Sequence, residues 1–453
     1  MEMLQDLTDL ASGDELEKVL STLHSIGAKC YFVGGCVRDA ILDEPITDID
    51  IEVFNIDSNM LASILARDHV VDYVGKSFGV IKIHDIAVDI SVPRVEEKIG
   101  ESHRSFSIVE KSDMDITRAA SRRDFTMNAM YFDPLSNQVI DGFGGMKDIE
   151  AKILRHTSEK FAEDPLRVFR AMQFAARFDL AVADETVKIS SELSCDSISP
   201  ERILGEWKKF LLLGKTPSRG LRFLRACGWL KYFPEINNLI GCEQDPIRHP
   251  EGDVFEHICV AMDYFPRVRN GDVFGDMVVG FALLCHDFGK PASTFRDEIG
   301  IHSYHHEEYG VAPAKVFLER MRVPNQVIEQ VLPLVKYHMS IRDVVKTDDL
   351  DSGIRILANR IGRLDLLLRL SLCDTFHRTK THGANEALVQ GRAKALGILS
   401  CKPRPILLGR HLIGFGLAPD KKFKELLNLA FEAQLKGKFS DEPGAISFIR
   451  DFI

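Results

Sequence analysis

Asp48 and Asp50 stand two residues apart, shortly after the pair Gly34-Gly35. On a strand that spacing puts both carboxylates on one face. Two carboxylates beside a turn that can close on an anion make a Mg²⁺ site of the kind used for phosphoryl or nucleotidyl transfer. Each signal alone also has an ordinary reading, as a plain turn or as a solvated strand end. The neighbouring elements must do the positioning. Tyr31 to Val33 are apolar and suit a strand, after which Gly34 and Gly35 let the backbone turn sharply and approach a ligand closely. Cys36 to Leu42 can open a helix whose first N–H groups are free to hold an anion. Ile49 to Phe54 form a second strand that starts among the two acids. Val80 to Ile83 and Ile86 to Val92 are rich in β-branched residues and read as a hairpin with Asp89 on its second strand. Asp89 is either the third carboxylate that a two-metal site needs or a strand-edge acid.

Further along, Arg122, Arg123 and Asp124 supply two donor forks and an acceptor. They suit a triphosphate and a ribose hydroxyl, or a surface salt-bridge patch. Asn128 can hold a loop or a sugar. In Glu163 to Phe178, Pro165 falls in the first turn of a helix, with Glu163 and Asp164 at the end where the dipole favours acids. Leu166, Phe169, Arg170, Gln173 and Phe174 mark its successive turns. Asp164 and Arg167 are three apart and lie side by side. They form either an ordinary ion pair or an acceptor and donor fork that mimic a Watson–Crick edge. The second half, helical by pattern, carries His257, His286-Asp287, His302, His305, His306, His338 and Asp374. Helices can converge such side chains on one interior point, where histidine with carboxylate suits transition metals or Mg²⁺.

Five stretches now stand in order: Tyr31 to Leu42 with Thr47 to Ile51, Arg122 to Met130, Asp141 to Asp148, Glu163 to Phe178, and Ser199 to Lys209. They resemble the five motifs of the bacterial (class II) tRNA nucleotidyltransferase and poly(A) polymerase family, over Tyr31 to Leu213. The resemblance implies catalysis by Asp48, Asp50 and Asp89, and a triphosphate held by Gly34, Gly35 and Arg38. Arg123, Asp124, Asn128 and Arg170 join the nucleotide-binding set, and Asp164 and Arg167 select CTP and ATP over UTP and GTP. The polar run Arg94 to Arg118, with Gly100, His103, Arg104 and Lys111, matches the place of the family's mobile loop, or is a plain surface loop. From Ser91 to Ser121 the spelling departs from the family's commonest one. Farther on, the order H…HD…D with Gly289-Lys290 after the pair resembles the HD phosphohydrolase domain. That resemblance implies metal ligation by His257, His286, Asp287 and Asp374, with His305, His306 and His338 as accessory ligands or phosphate binders. It also implies metal-dependent hydrolysis of phosphomonoesters and cyclic phosphodiesters.

At 453 residues the chain exceeds one typical core, and its 45% hydrophobic and 27% charged content is that of a soluble globular protein. The expected fold is an α/β head on a small, mainly parallel but mixed sheet, followed by all-α neck, HD and tail domains. The expected bounds are 1–150, 151–235, 236–380 and 381–453. No signal peptide or transmembrane span is visible, and nine cysteines without a Cys-x-x-Cys pair fit a reducing cytoplasm. The net charge of −10 counts mildly against a nucleic-acid partner. Phosphate contacts need only local basic surface, and Lys208-Lys209, Arg219, Arg222, Arg225 and Lys421-Lys422 supply some. His377-Arg378, Lys402, Arg404 and Arg410 either touch the body of an RNA or lie on solvated helix faces. The expectation is therefore a CCA-adding enzyme working on tRNA with CTP and ATP. It uses Mg²⁺ in the head and a divalent metal, transition metals included, in the HD domain, with no membrane and no obligate protein partner. The rivals are a poly(A) polymerase, an enzyme adding only CC or only A, and a phosphohydrolase or RNA-binding protein with an inert head.

Overall fold

The computed structural model describes residues 5–74, 80–84, 86, 88–98, 106–110, 113–376 and 382–453. Gly100, His103, Arg104, Lys111 and the pair His377-Arg378 lie outside the described residues. The chain divides into two compact units, Met1–Ala171 with Asp179–Ser197, and Met172–Phe178 with Ile198–Ile453.

The first unit is built on strands β1 to β5 (Lys29–Val33, Ile49–Phe54, Val71–Val74, Val80–Ile83, Val88–Ser91), followed by β6 and β7 (Arg94–Lys98, Phe106–Glu110) and β8 and β9 (Tyr131–Asp133, Gln138–Ile140). Seven of them form one sheet in the order β3-β4-β5-β2-β1-β8-β9, while β6 and β7 pair separately. The sheet is mixed, but not mainly parallel as expected. Among the described residues β2 and β5 run parallel, and the other neighbouring pairs run antiparallel. Short hairpin connections such as β4–β5 and β8–β9 explain this, since a parallel neighbour needs a long crossover. Phe32, Ile51, Val53, Ile81 and Ile90 are fully buried in a common core. A slip of one residue in any of these strands would turn its core side chains to the other face, so the apolar pattern fixes the register that aligns the acids.

The second unit is helical. Its main helices here are α1 (Pro200–Leu213), α2 (Val254–Tyr264), α3 (Val273–Cys285), α4 (Asn325–Tyr337) and α5 (Leu364–Thr375). From Gly275 to Cys285 every residue of α3 is buried, as a helix apolar on all sides must be. The other four helices pack around it. Arg269 donates to the carbonyls of Leu211, Leu212 and Gly214, which satisfies the open C-terminus of α1. A small hairpin of β10 (Thr294–Arg296) and β11 (Ile301–Ser303) departs from the all-helical expectation. Towards the C-terminus, Leu407, Leu412, Leu426, Ala430, Phe439 and Ile449 form a separate small core. Among the described residues no helix is long and apolar enough to cross a membrane.

Candidate functional site

In the first unit, β1 ends at Val33 and the helix Gly35–Ile41 starts two residues later. Gly34 joins them at φ +72, and a Cβ there would lie 2.9 Å from Nη1 of Arg123. Both the backbone angle and the guanidinium therefore call for glycine. Asp48 immediately precedes β2, and Asp50 pairs in parallel register with Asp89 of β5. The two carboxylates are thus set side by side. Asp50 is open to solvent, yet the protein around it desolvates its carboxyl enough to raise its pKa. Arg123 opposes that rise, while Asp89 and Asp48 add to it. Lys82 of β4 stands opposite Asp89, with Nζ 3.0 Å from Oδ2. Carboxylates in mutual repulsion, with only oxygen donors, fit a hard divalent cation.

Beside this cradle lies a buried polar network. Arg38 is 5% exposed, pairs with Asp39 and donates to Oδ1 of Asn128 at 2.7 Å. Asn128 donates in turn to Asp124, which also accepts from Nε of Arg170 at 2.6 Å. Burial works against the Asp124 charge, but Arg170, Asn128 and Arg167 outweigh it and hold the carboxyl below its usual range. Arg123 lies over the Tyr131 ring at 5.5 Å and 3.7 Å from Glu52, to which Tyr131 donates. Burial disfavours its charge, and Glu52 and Tyr131 more than restore it. Asp164 accepts from the Leu166 amide at the start of the helix Leu166–Phe178, and Arg167 donates to the carbonyls of Lys160 and Arg122.

In the second unit the structure brings together His257 from α2, His286 and Asp287 after α3, and Asp374 from α5, all buried. Nε2 of His257 is 3.1 Å from Oδ1 of Asp374 and 3.6 Å from Oδ2 of Asp287. Nε2 of His286 is 3.3 Å from Oδ2 of Asp287. The other oxygen of Asp287 faces His306 at 3.4 Å and His338 at 4.0 Å, so one carboxylate is shared by two groups. The ligand atoms of His257, His286 and Asp374 lie within 4.8 Å of one another, as do those of Asp287, His306 and His338. Nδ1 of His286, His306 and His338 each sits 2.7 Å from the carbonyl oxygen of the residue three earlier. A carbonyl only accepts, so each Nδ1 carries a proton and each Nε2 is turned to the interior.

A test of fit is whether buried atoms there lack partners. Nε2 of His286 is buried with no hydrogen bond of proper geometry, whereas Oδ2 of Asp287 is met by the Lys290 ammonium. Burial disfavours a charge on His286, yet Asp287 and Asp374 push its pKa up to about 10. Burial likewise works against the Asp287 charge, but His286 and Lys290 hold that carboxyl well below its usual range. The ammonium of Lys290 rests 2.6 Å from Asp287 and 2.7 Å from Gln244. Cationic groups thus crowd a carboxylate where a metal ion would provide the same neutralisation, and the nitrogen and oxygen donors suit a divalent metal.

Two family models match the chain: the poly A polymerase head domain over residues 30–155, and a probable RNA and SrmB-binding site of polymerase A over residues 182–240. The multifunctional CCA protein of Xylella fastidiosa is 34% identical over 332 residues, 71% of this chain and 76% of that protein. The chain belongs to the bacterial CCA-protein family of tRNA nucleotidyltransferases. The namesake in Methylobacillus flagellatus is 35% identical over 326 residues, 70% of this chain and 75% of that one. The fold agrees as well. The Bacillus stearothermophilus CCA-adding enzyme in complex with CTP superposes with a TM-score of 0.68 over 96% of both chains, at 22% identity. The Thermotoga maritima enzyme complexed with tRNA gives 0.62 at 18% identity over 100% of this chain and 98% of that one.

Nucleotidyltransferases of this family work with a divalent metal, and the head acids are the donors on hand. Several placements add to the sequence reading. Arg38 is turned inward to Asn128 and Asp39, so it ties the glycine turn to the second motif. His305 is exposed at φ +60, while the adjacent His306 is buried in the cluster. Glu251, His249 and Gln244 were not singled out from sequence. Glu251 accepts from Nδ1 of both His249 and His257 at 2.9 Å, and so orients His257. These residues lie outside the regular helices, where no periodicity marks an inward face. A histidine and an acid just upstream of His257 were the available signal.

Proposed function

We propose that this chain adds C, C and A to the 3′ end of tRNA, using CTP and ATP. The observation that carries this reading is the in-register pair Asp50 and Asp89 beside the glycine turn that Arg123 closes. In this reading Asp48, Asp50 and Asp89 hold Mg²⁺, which when bound lowers the pKa of the RNA 3′-hydroxyl and neutralises the departing pyrophosphate. Gly34, Gly35 and Arg123 cradle the triphosphate, with Arg38 bracing the turn. Asp124, Asn128 and Arg170 fix the sugar and the neighbouring helix start. Asp164 and Arg167 read the base edge. The bounds 1–150, 151–235, 236–380 and 381–453 remain our division into head, neck, HD domain and tail, and the cytoplasm our expected location.

The test uses tRNA transcripts ending at the discriminator, at C and at CC, with CTP, ATP or both. Extension of all three to CCA followed by arrest is expected. A long ladder with ATP alone would move the protein to the poly(A) polymerases, and a stall after CC would make it half an enzyme. Asp48→Ala should abolish transfer, and transfer surviving in that variant would sink the assignment.

A second reading rests on the buried Nε2 of His286, which makes no well-formed hydrogen bond although it faces the Asp287 and Asp374 carboxylates. It is a metal-dependent phosphohydrolase centre of His257, His286, Asp287 and Asp374, with His306 and His338 as accessory ligands. A metal there supplies Lewis acidity toward a phosphoryl oxygen. Phosphate release should persist in Asp48→Ala and vanish in Asp287→Ala.

A further inference from the structure

Glu52 is an acid in the head to which the nucleotidyl transfer described above gives no task. It follows Asp50 by two residues on β2, so its side chain leaves the strand on the same face. Its carboxylate is only 14% exposed, and Oε2 accepts from the Tyr131 hydroxyl at 2.5 Å. The Tyr131 ring, on β8, is fully buried. It shares a small core with Tyr31 and Phe54, whose ring centroids lie 6.1 and 6.3 Å away. A ring wedged in this way cannot follow Glu52 if the carboxylate moves, so its hydroxyl is a fixed anchor.

Arg123 approaches the same oxygen. Its Nη2 is 3.7 Å from Oε2 of Glu52, close enough for charge attraction but too far for a hydrogen bond. Its Nη1 faces Gly34, where a Cβ would come within 2.9 Å. The Tyr131 ring adds a cation–π contact, 5.5 Å from Cζ to the centroid. The guanidinium is thus held by charge and by a ring face, while the nearest carboxylate stops short of its N–H groups. An arginine locked two-pronged onto a carboxylate has already engaged the donor fork that a phosphate needs. We propose that the Tyr131 hydroxyl is a positioning group that keeps Glu52 short of Arg123, so that the guanidinium is drawn into the glycine turn yet stays open to the incoming triphosphate. The inference rests on the reading of Arg123 as part of the triphosphate cradle. Without the hydroxyl, Glu52 is released and closes on Arg123 as a two-pronged pair. Loss of the hydroxyl is therefore harmful only while the carboxylate is present, a dependence that a merely structural tyrosine would not show.

The test is calorimetric binding of CTP and of cytidine to the full-length protein in Mg²⁺, with KM and kcat for C addition to a tRNA transcript ending at the discriminator. Tyr131→Phe keeps the ring and its contact with Arg123 and removes only the hydroxyl. It should weaken CTP about tenfold, leave cytidine unchanged, raise KM for CTP by a similar factor and leave kcat near its original value. Adding Glu52→Gln to that variant should restore CTP affinity, because a neutral amide does not capture the guanidinium as a carboxylate does. Ligand bound by the second unit is common to all variants and cancels in the comparison. Unchanged CTP affinity in Tyr131→Phe, an equal loss of CTP and cytidine, or no restoration by Glu52→Gln overturns the restraint. Arg123→Ala separates it from the reading on which it rests. CTP weakened there but not in Tyr131→Phe leaves the cradle standing and removes the restraint alone, whereas CTP unaffected in Arg123→Ala removes both.

Discussion

Asp124 joins three elements of the head through one carboxylate, taking bonds from Arg170, Asn128 and its neighbour's amide. Its folded pKa lies below its unfolded one. The stabilisation is therefore fully present above the ordinary carboxyl value and is lost as pH falls through the lower, folded one. Asp124→Asn should cost about 2–3 kcal/mol at neutral pH. The gap to the unaltered protein should narrow in acid, and urea unfolding at several pH values would show it; a gap independent of pH would contradict the charge-based account. Asp50 has the opposite sign. Without metal its raised carboxyl takes up a proton at higher pH than an ordinary aspartate, so Mg²⁺ must displace that proton and its affinity for the head should weaken on the acid side. A Mg²⁺ affinity independent of pH there, measured by titration calorimetry, would contradict Asp50 as a ligand. These two acids also show what the sequence discloses. Spacing pointed to Asp48 and Asp50 on one strand face, and β2 in fact begins one residue after Asp48, whereas nothing local pointed to Arg38 turning inward to Asn128, a partner 90 residues away.

Elements decide how such residues meet. Gly289 follows the His286-Asp287 pair, and a Cβ on it would collide with the His306 carbonyl and the Gly310 amide. That contact lets the turn after α3 nest against the short helix His306–Tyr309, which brings His306 to Asp287. Gly289→Ala should therefore push His306 away and lower the metal retained by the second unit severalfold, measured by elemental analysis after gel filtration, while CCA addition continues. Full retention would mean that the turn does not set the spacing. The helical character of the region around His257, His286 and Asp374 was readable from its pattern, though not its individual helices, and so were the strands that carry Asp50 and Asp89. The parallel alignment of β2 with β5 was not, because it depends on the path between them, through the helix Ser58–Leu65 and strands β3 and β4. Nor was the hairpin β10–β11, whose three-residue strands are too short to show a period.

At the scale of the whole molecule, the two chemistries reside in separate compact units. A ligand stabilises the unit that binds it by mass action, about 2.7 kcal/mol at a hundredfold excess over its Kd. A metal ion that prefers nitrogen donors, such as Ni²⁺, should raise one melting transition assigned to the second unit and leave the other near its original temperature. A chelator should reverse the shift, and uniform movement of both transitions would argue against independent loading. The tautomer lock on His286, His306 and His338 has a consequence that needs no metal. Three imidazole protons are pinned to main-chain carbonyls in the interior. They should exchange with solvent far more slowly than those of exposed histidines such as His305. In a proton NMR spectrum they would give a few sharp downfield lines, a signature of the intact centre that can be read in the metal-free protein.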